Sequence, residues 1–165
     1  MFMRLATMEE VDACYQCIED ARAYHEAHGF EQWHPTYPTR NTIIEDVKDQ
    51  IGYVLCDENG LMGYCSIVIG VDPAYVVIDG EWATDRDYAA IRRMAFNERS
   101  RGKRHSEEAF FLFKKFCVDH GAFAIRVDTH EMNKIMRHIF VREGFKYCGI
   151  IQFDGGPKCA YEWDF

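Results

Sequence analysis

A chain of 165 residues, 48% of them hydrophobic and with twelve Phe, nine Tyr and three Trp, is long enough for one domain with a sizeable core, and its composition excludes intrinsic disorder. A formal net charge of −8 argues against non-specific nucleic-acid binding, which needs basic surface to displace counterions, and it suits small cations such as amines. No run of about 18 apolar residues is long enough for a membrane span, and acidic residues follow the start too early for a secretory signal.

The seven cysteines are odd in number and scattered, which predicts free thiols in a reducing cytoplasm.

Met3–Ala6 reads as a first strand. Thr7 then opens a helix with Glu10 in the capping-box position. Val11, Cys14, Tyr15, Ile18 and Ala21 recur at helical spacing, and Gly29 ends the segment. Residues 32–38 form an aromatic-rich loop, followed by a short helix with Ile43, Ile44 and Val47. Tyr53–Cys56 and Leu61–Ile69 are strands joined by an Asn59-Gly60 hairpin turn. Residues 70–87, with Asp72-Pro73 and the acids Asp79, Glu81, Asp85 and Asp87, read as mostly loop. Tyr88–Phe96 is a strand whose alternation is blurred by Arg92-Arg93. His105–His120 is a helix with Ala109, Leu112, Phe113 and Phe116 on one face. Ala124–Thr129 is a strand. Asn133–Glu143 is a helix with Ile135, Met136, Ile139 and Phe140 as its stripe, closed by Gly144. Two final strands, 146–153 and 158–164, flank an Asp154-Gly155-Gly156-Pro157 turn. About seven strands and four helices in this order predict an α/β fold, with a mixed sheet covered on both faces.

The segment carrying the most chemistry runs from Met94 to Ser106. A strand enters a basic loop with Arg99, Arg101, Lys103 and Arg104, and the loop enters a helix. A helix N-terminus offers unsatisfied N–H groups and about half a positive charge, so such a loop suits an anion, and a pyrophosphate matches well. A solvated basic turn has the same composition, and Glu107 and Glu108 put negative charge in the same first turn.

Arg99-Ser100-Arg101-Gly102-Lys103-Arg104 resembles the Gln/Arg-x-x-Gly-x-Gly/Ala loop of the GNAT acetyltransferases. Asn133 followed by Gly144-Phe145 matches that family's next helix, with Asp128-Thr129-His130 leading in. Tyr37-Pro38-Thr39 near the front is similar to its small-molecule type, as are the closing Tyr147–Ile151 and Ala160-Tyr161-Glu162 segments. The resemblance covers most of residues 1–165 as a single domain and is poorest over 70–87. It implies a mostly antiparallel sheet with two splayed parallel strands, 88–96 and 124–129, and acetyl-CoA as cosubstrate.

By the same resemblance, Arg99, Arg101, Gly102, Lys103, Arg104, His105 and Ser106 would hold the phosphates, and backbone groups of Met94 and Phe96 the pantetheine arm. Asn133 and Phe140 would meet the cofactor from the next helix. Two departures stand out. Arg104 replaces the loop's second glycine, at a cost of roughly 1–2 kcal/mol if φ is positive. Phe140 replaces the tyrosine that often protonates the leaving thiolate.

The implied reaction is acetyl transfer to the primary amine of a small molecule. An amine with pKa near 10.4 is only about one part in a few thousand neutral at pH 7, so a base helps, by roughly 10²–10⁴-fold. Glu81, ahead of Asp85 and Asp79, is the candidate base, with a solvated acidic loop as the other reading. Tyr88 and His130 are candidate acids, and His130 also reads as a structural residue. Trp33, His34 and Tyr37 would wall the acceptor site. A protein or peptide acetyltransferase and a non-catalytic CoA-binding sensor are the alternatives. Dimers are common in the family, but no feature of the sequence specifies an interface.

Cys14-Tyr15-Gln16-Cys17 with His25 and His28 lies on one helix. Cys14 to His25 spans about 16 Å of rise, too far for one tetrahedral zinc, so no metal is expected.

Overall fold

Thr7 and Glu10 open the first helical segment as their spacing predicts. In the computed structural model, which describes residues 1–165, the Thr7 N–H donates to Glu10 Oε2 at 3.1 Å. A 3-10 turn at Met8–Glu10 runs straight into helix α1 (Val11–Ala27), and Gly29 leaves the segment at φ +78°. The order continues with α2 (Arg40–Lys48), β2 (Gly52–Asp57) and β3 (Gly60–Ile69), after a first strand β1 (Phe2–Leu5). Then come β4 (Asp79–Gly80), β5 (Tyr88–Phe96), α3 (Ser106–Asp119), β6 (Ala124–Thr129), α4 (Lys134–Arg142), β7 (Lys146–Phe153) and β8 (Gly156–Asp164).

The strands form an open, mostly antiparallel mixed sheet in the order β1-β2-β3-β5-β6-β8-β7-β4. Its β5–β6 pair is parallel, with Tyr88, Ala89 and Ala90 opposite Ala124, Ile125 and Arg126. No helix is long and apolar enough to cross a membrane.

The sheet has eight strands where the sequence predicts about seven. The additional one, β4, falls in the stretch read as loop, together with a 3-10 turn at Pro73–Tyr75. Asp and Gly are poor strand formers, so β4 has no local signature. It exists because Asp79 and Gly80 pair with Ile150 and Gly149 of β7. The final turn is also tighter than predicted, since Gly156 and Pro157 already belong to β8.

By contacts, residues 1–67 with 92–112 make one compact unit, and residues 68–91 with 113–165 make a second. The core of the first packs Val11, Cys14, Cys17 and Ile18 of α1 with Ile43 of α2, Val54 of β2 and Tyr64 of β3. Burial pushes the Cys14 and Cys17 thiols up to about 12, as expected of core residues. The second unit centres on Tyr75, Tyr88, Ala90, Ala124, Ile151 and Ala160.

Two helical stripes match their predicted faces in part, with Ala109, Phe113 and Phe140 buried and Met136 and Ile139 half-buried. In α3 the fully buried residues are Ala109, Phe110, Phe113 and Cys117, with Leu112 and Phe116 half-buried. In α4 only Phe140 is buried, and Ile135 stays 54% exposed.

Candidate functional site

In the first unit, β5 ends at Phe96 and the chain turns through a short 3-10 segment, Glu98–Ser100, before α3. Two of its four cations hold this loop in place. The Arg99 guanidinium straddles Asp57 at 3.2 Å and also donates to the carbonyls of Gly60 and Leu61 at 3.0 and 3.1 Å. That pair, helped by the Asn59 N–H, holds the Asp57 carboxyl down to about 2. Arg101 reaches α1, donating to the Asp20 carbonyl at 2.7 Å with its guanidinium 4.9 Å from the Tyr24 ring centre. Glu98 N–H bonds Asp20 Oδ2 at 2.9 Å. Arg99 and Arg101 thus staple the loop to the β2–β3 hairpin and to α1.

The remaining cations, Lys103 and Arg104, are exposed. Gly102 and Arg104 both adopt left-handed φ, +76° and +60°, and a Cβ at Gly102 would meet nothing within 4 Å. His105 is half-buried with its ring 6.1 Å from Phe96, and its carbonyl accepts the Ala109 N–H at 3.0 Å to start α3. Ser106 is buried. Left-handed residues in a turn are a recurring element of the backbone N–H nests that bind anions. Two exposed cations beside an α3 N-terminus complete an arrangement chemically suited to phosphate.

Arg104 keeps the glycine-like backbone that its position in the resembled motif demands, and an L side chain is strained there. Arg104→Gly is therefore expected to stabilise the fold by up to ~1 kcal/mol, net of the entropy that glycine adds to the unfolded chain. A raised thermal midpoint checks this, whereas a lowered one means that the side chain makes stabilising contacts.

The half-buried Met94 and Phe96 lie on β5 beyond Arg93, whose φ of +55° kinks the strand. The Arg93 side chain leaves the alternation to reach α2, with Nη2 and Nε 2.7 and 3.0 Å from Asp46 Oδ1 and Oδ2. Tyr64 donates to the same carboxylate at 2.5 Å, and Arg93 Nη1 donates to the Tyr37 phenol oxygen at 2.5 Å. Burial works against the Arg93 charge, but Tyr37 and Asp46 outweigh it and keep the guanidinium firmly protonated. Trp33 is half-buried with its ring 5.5 Å from His25, and the exposed His34 bonds Thr36 at 2.9 Å. Tyr37 is thus tied to β5, while His34 faces solvent.

In the second unit, Asn133 caps α4: its Oδ1 accepts the Met136 N–H at 3.2 Å and its Nδ2 donates to Thr129 Oγ1 at 3.1 Å. His130 Nδ1 accepts the Met132 N–H at 3.1 Å, a bond the neutral ring makes, and burial together with Lys158 lowers its pKa. Phe140 packs its ring 5.3 Å from both Phe145 and Tyr161. Tyr161 carries a hydroxyl beside that ring and accepts from Arg137 Nε at 3.0 Å.

Tyr88 is buried, and its phenol oxygen accepts the Asp72 N–H at 3.0 Å. Arg126 lies between two rings, its guanidinium 3.9 Å from the Tyr88 centre and 4.2 Å from that of Trp82. The same guanidinium pairs with the fully buried Glu162 at 2.8 Å and donates to the Thr84 carbonyl at 2.9 Å. Trp82 Nε1 donates to the Tyr75 carbonyl at 3.0 Å, and Glu162 Oε2 accepts the Thr84 N–H at 2.9 Å. The segment around Glu81 is therefore pinned from both sides. Glu81 itself is exposed, with its N–H on the Cys148 carbonyl at 2.9 Å, and Asp79 and Asp85 are exposed as well.

Sequence reasoning missed the two buried ion pairs, Arg93–Asp46 and Arg126–Glu162. Signals for both exist. Asp46 falls on the α2 face that buries Ile43, and Arg126 and Glu162 are opposite charges at facing positions of paired strands. No group of three or more His, Cys, Asp or Glu side chains is arranged to hold a metal ion.

No protein-family model matches the sequence, and no curated protein does. Solved structures do match. A GNAT-family acetyltransferase from Streptococcus agalactiae is 31% identical over 99% of this chain and 95% of that one, with a TM-score of 0.88. A protein described as a putative phosphinothricin N-acetyltransferase is 18% identical, with a TM-score of 0.71 over 99% of this chain and 98% of that one. A ribosomal α-N-protein acetyltransferase solved in complex with coenzyme A is 14% identical, with a TM-score of 0.68 over 99% and 93%. With the parallel β5–β6 pair, the basic turn ahead of α3 and the Asn133-capped α4 all in place, the chain belongs to the GNAT family of acetyltransferases.

Proposed function

We propose that the chain, acting as a single domain, transfers the acetyl group of acetyl-CoA to the primary amine of a small molecule. The observation that carries this reading is the loop before α3. Its Gly102 and Arg104 are in left-handed conformation, a Cβ at Gly102 would enter open space, and Lys103 and Arg104 are exposed beside the helix N-terminus. Those residues fit the phosphates of coenzyme A, with Arg99 and Arg101 fixing the loop and His105 and Ser106 opening the helix. Backbone groups of Met94 and Phe96, beyond the β5 kink, would hold the pantetheine arm, and Asn133 and Phe140 would meet the cofactor from α4. When bound, acetyl-CoA supplies an activated thioester.

The exposed carboxylate of Glu81 is the proposed base that takes a proton from the amine, and Asp79 and Asp85 add negative charge that attracts a cationic acceptor. Tyr88 is the proposed proton donor, in preference to His130, whose ring nitrogen accepts the Met132 N–H. Trp33 and Tyr37 are the proposed acceptor contacts. Among the fold relatives, one is described as a putative phosphinothricin N-acetyltransferase and another as a ribosomal-protein acetyltransferase, so a peptide amine is the second reading.

Release of CoA thiol in the presence of a panel of small primary amines and of N-terminal peptides tests the proposal. Turnover with a small amine is expected, and Glu81→Gln is expected to lower kcat by about 10²-fold or more while leaving acetyl-CoA affinity unchanged. Turnover with peptides alone would move the assignment to a protein acetyltransferase. Cofactor binding without turnover on any amine would make the chain a CoA-binding module.

A further inference from the structure

Arg93 is doubly constrained. It combines a left-handed φ of +55° inside a strand with an ion pair to Asp46 whose two side chains are only 8% and 6% exposed. A bulky residue holds such a backbone only where its surroundings over-determine it, and such positions gather at functional segments. Here the surroundings are a two-pronged carboxylate, whose second oxygen is also held by Tyr64, and the phenol of Tyr37. The loop that carries Tyr37 is fixed a second time, because Arg22 Nη2 donates to the Tyr37 and Pro38 carbonyls at 3.1 Å each. One residue therefore joins two segments with different proposed duties. Its backbone is part of β5 just ahead of Met94 and Phe96, and its guanidinium reaches the acceptor loop of Trp33 and Tyr37 through the Tyr37 phenol.

We propose that Arg93 is a positioning residue that sets the cofactor-binding strand and the acceptor-binding loop together, with Asp46 as its anchor. This rests on the acetyltransferase reading for its kinetic consequences, but not for its structural ones. Arg93 touches neither cosubstrate in this account. It acts through the kink of β5 on one side and through the Tyr37 phenol on the other. Lysine cannot replace it, because a single ammonium cannot span a carboxylate in two-pronged fashion and also reach a third oxygen in fixed directions.

The test uses the full chain and two variants, Arg93→Lys and Tyr37→Phe, the second of which loses one oxygen and keeps its ring. Hydrogen–deuterium exchange comes first. Arg93→Lys is expected to speed exchange by about tenfold in peptides covering both 33–39 and 92–97, leaving 124–129 unchanged, and Tyr37→Phe is expected to loosen 33–39 alone. Steady-state kinetics and acetyl-CoA titration follow. Arg93→Lys is expected to raise the amine KM and the acetyl-CoA Kd together by about tenfold, and Tyr37→Phe to raise the amine KM alone by about threefold. The inference is overturned if Arg93→Lys loosens only one of the two segments, or lowers stability uniformly without moving either constant. Absence of acetyl-CoA binding in the wild type would strike the acetyltransferase reading, and the exchange data would still decide whether Arg93 holds both segments.

Discussion

Glu162→Ala is expected to lower the unfolding free energy by about 3–5 kcal/mol, the range for removing one partner of a buried ion pair. Glu162 is 0% exposed, and its two oxygens serve the Arg126 guanidinium and the Thr84 N–H. Truncation strands both. The guanidinium would remain between Trp82 and Tyr88 without a counter-charge, in a domain whose whole stability is on the order of 5–15 kcal/mol. Urea denaturation measures the loss. Glu162→Gln should cost less, because an amide oxygen still accepts the Thr84 N–H. A loss below about 1 kcal/mol for the alanine variant would mean that the two rings carry the cation unaided.

Gly149→Ala is the second large effect. Gly149 has φ +141° where β7 meets β4, and a Cβ there would lie 2.2 Å from the Asp79 carbonyl oxygen and 2.9 Å from Gly80 Cα; a Cβ on the facing Gly80 would likewise lie 2.2 Å from the Cys148 carbonyl oxygen and 2.8 Å from Gly149 Cα. The backbone conformation alone costs about 1–3 kcal/mol for a residue with a side chain. The overlap is with backbone, which cannot swing aside, so the Asp79–Gly80 pairing must open. Faster amide exchange over 79–82 and a lowered urea midpoint are the expected results. If Glu81 is the base, kcat falls as its segment loosens, with acetyl-CoA affinity retained. Unchanged exchange over 79–82 would show that β4 is held by something other than this close glycine contact.

These two sites also mark where the sequence stops being legible. Strands such as β3, led in by an Asn-Gly turn, and helices such as Lys134–Arg142, with an apolar stripe, an Asn cap and a closing glycine, announce themselves through local signals. The basic loop is equally local, and the resemblance placed it in register. β4 has no such signal. Two residues of low strand propensity become a strand only because Gly149 lets their backbone approach. The ion pairs lie further out of reach, since Asp46 and Arg93 are 47 positions apart and Arg126 and Glu162 are 36 apart. Composition shows their charges but not their partners. Arg99 and Arg101 teach the same lesson in reverse: their positive charge is plain in the sequence, while their hydrogen bonds to Asp57 and to the Asp20 carbonyl appear only in the fold.

Titration of acetyl-CoA into the purified protein, with Lys103→Glu/Arg104→Glu as the comparison, tests the central claim most directly. Ligand at about 100 times its Kd should stabilise the wild type by roughly 2.7 kcal/mol, a rise of several degrees in the unfolding midpoint. The charge-reversed variant should fold normally, because both side chains are exposed, and should lose most of that rise. Saturable binding that the variant loses is the predicted result. A wild type that shows no binding and no shift at millimolar acetyl-CoA would contradict the account.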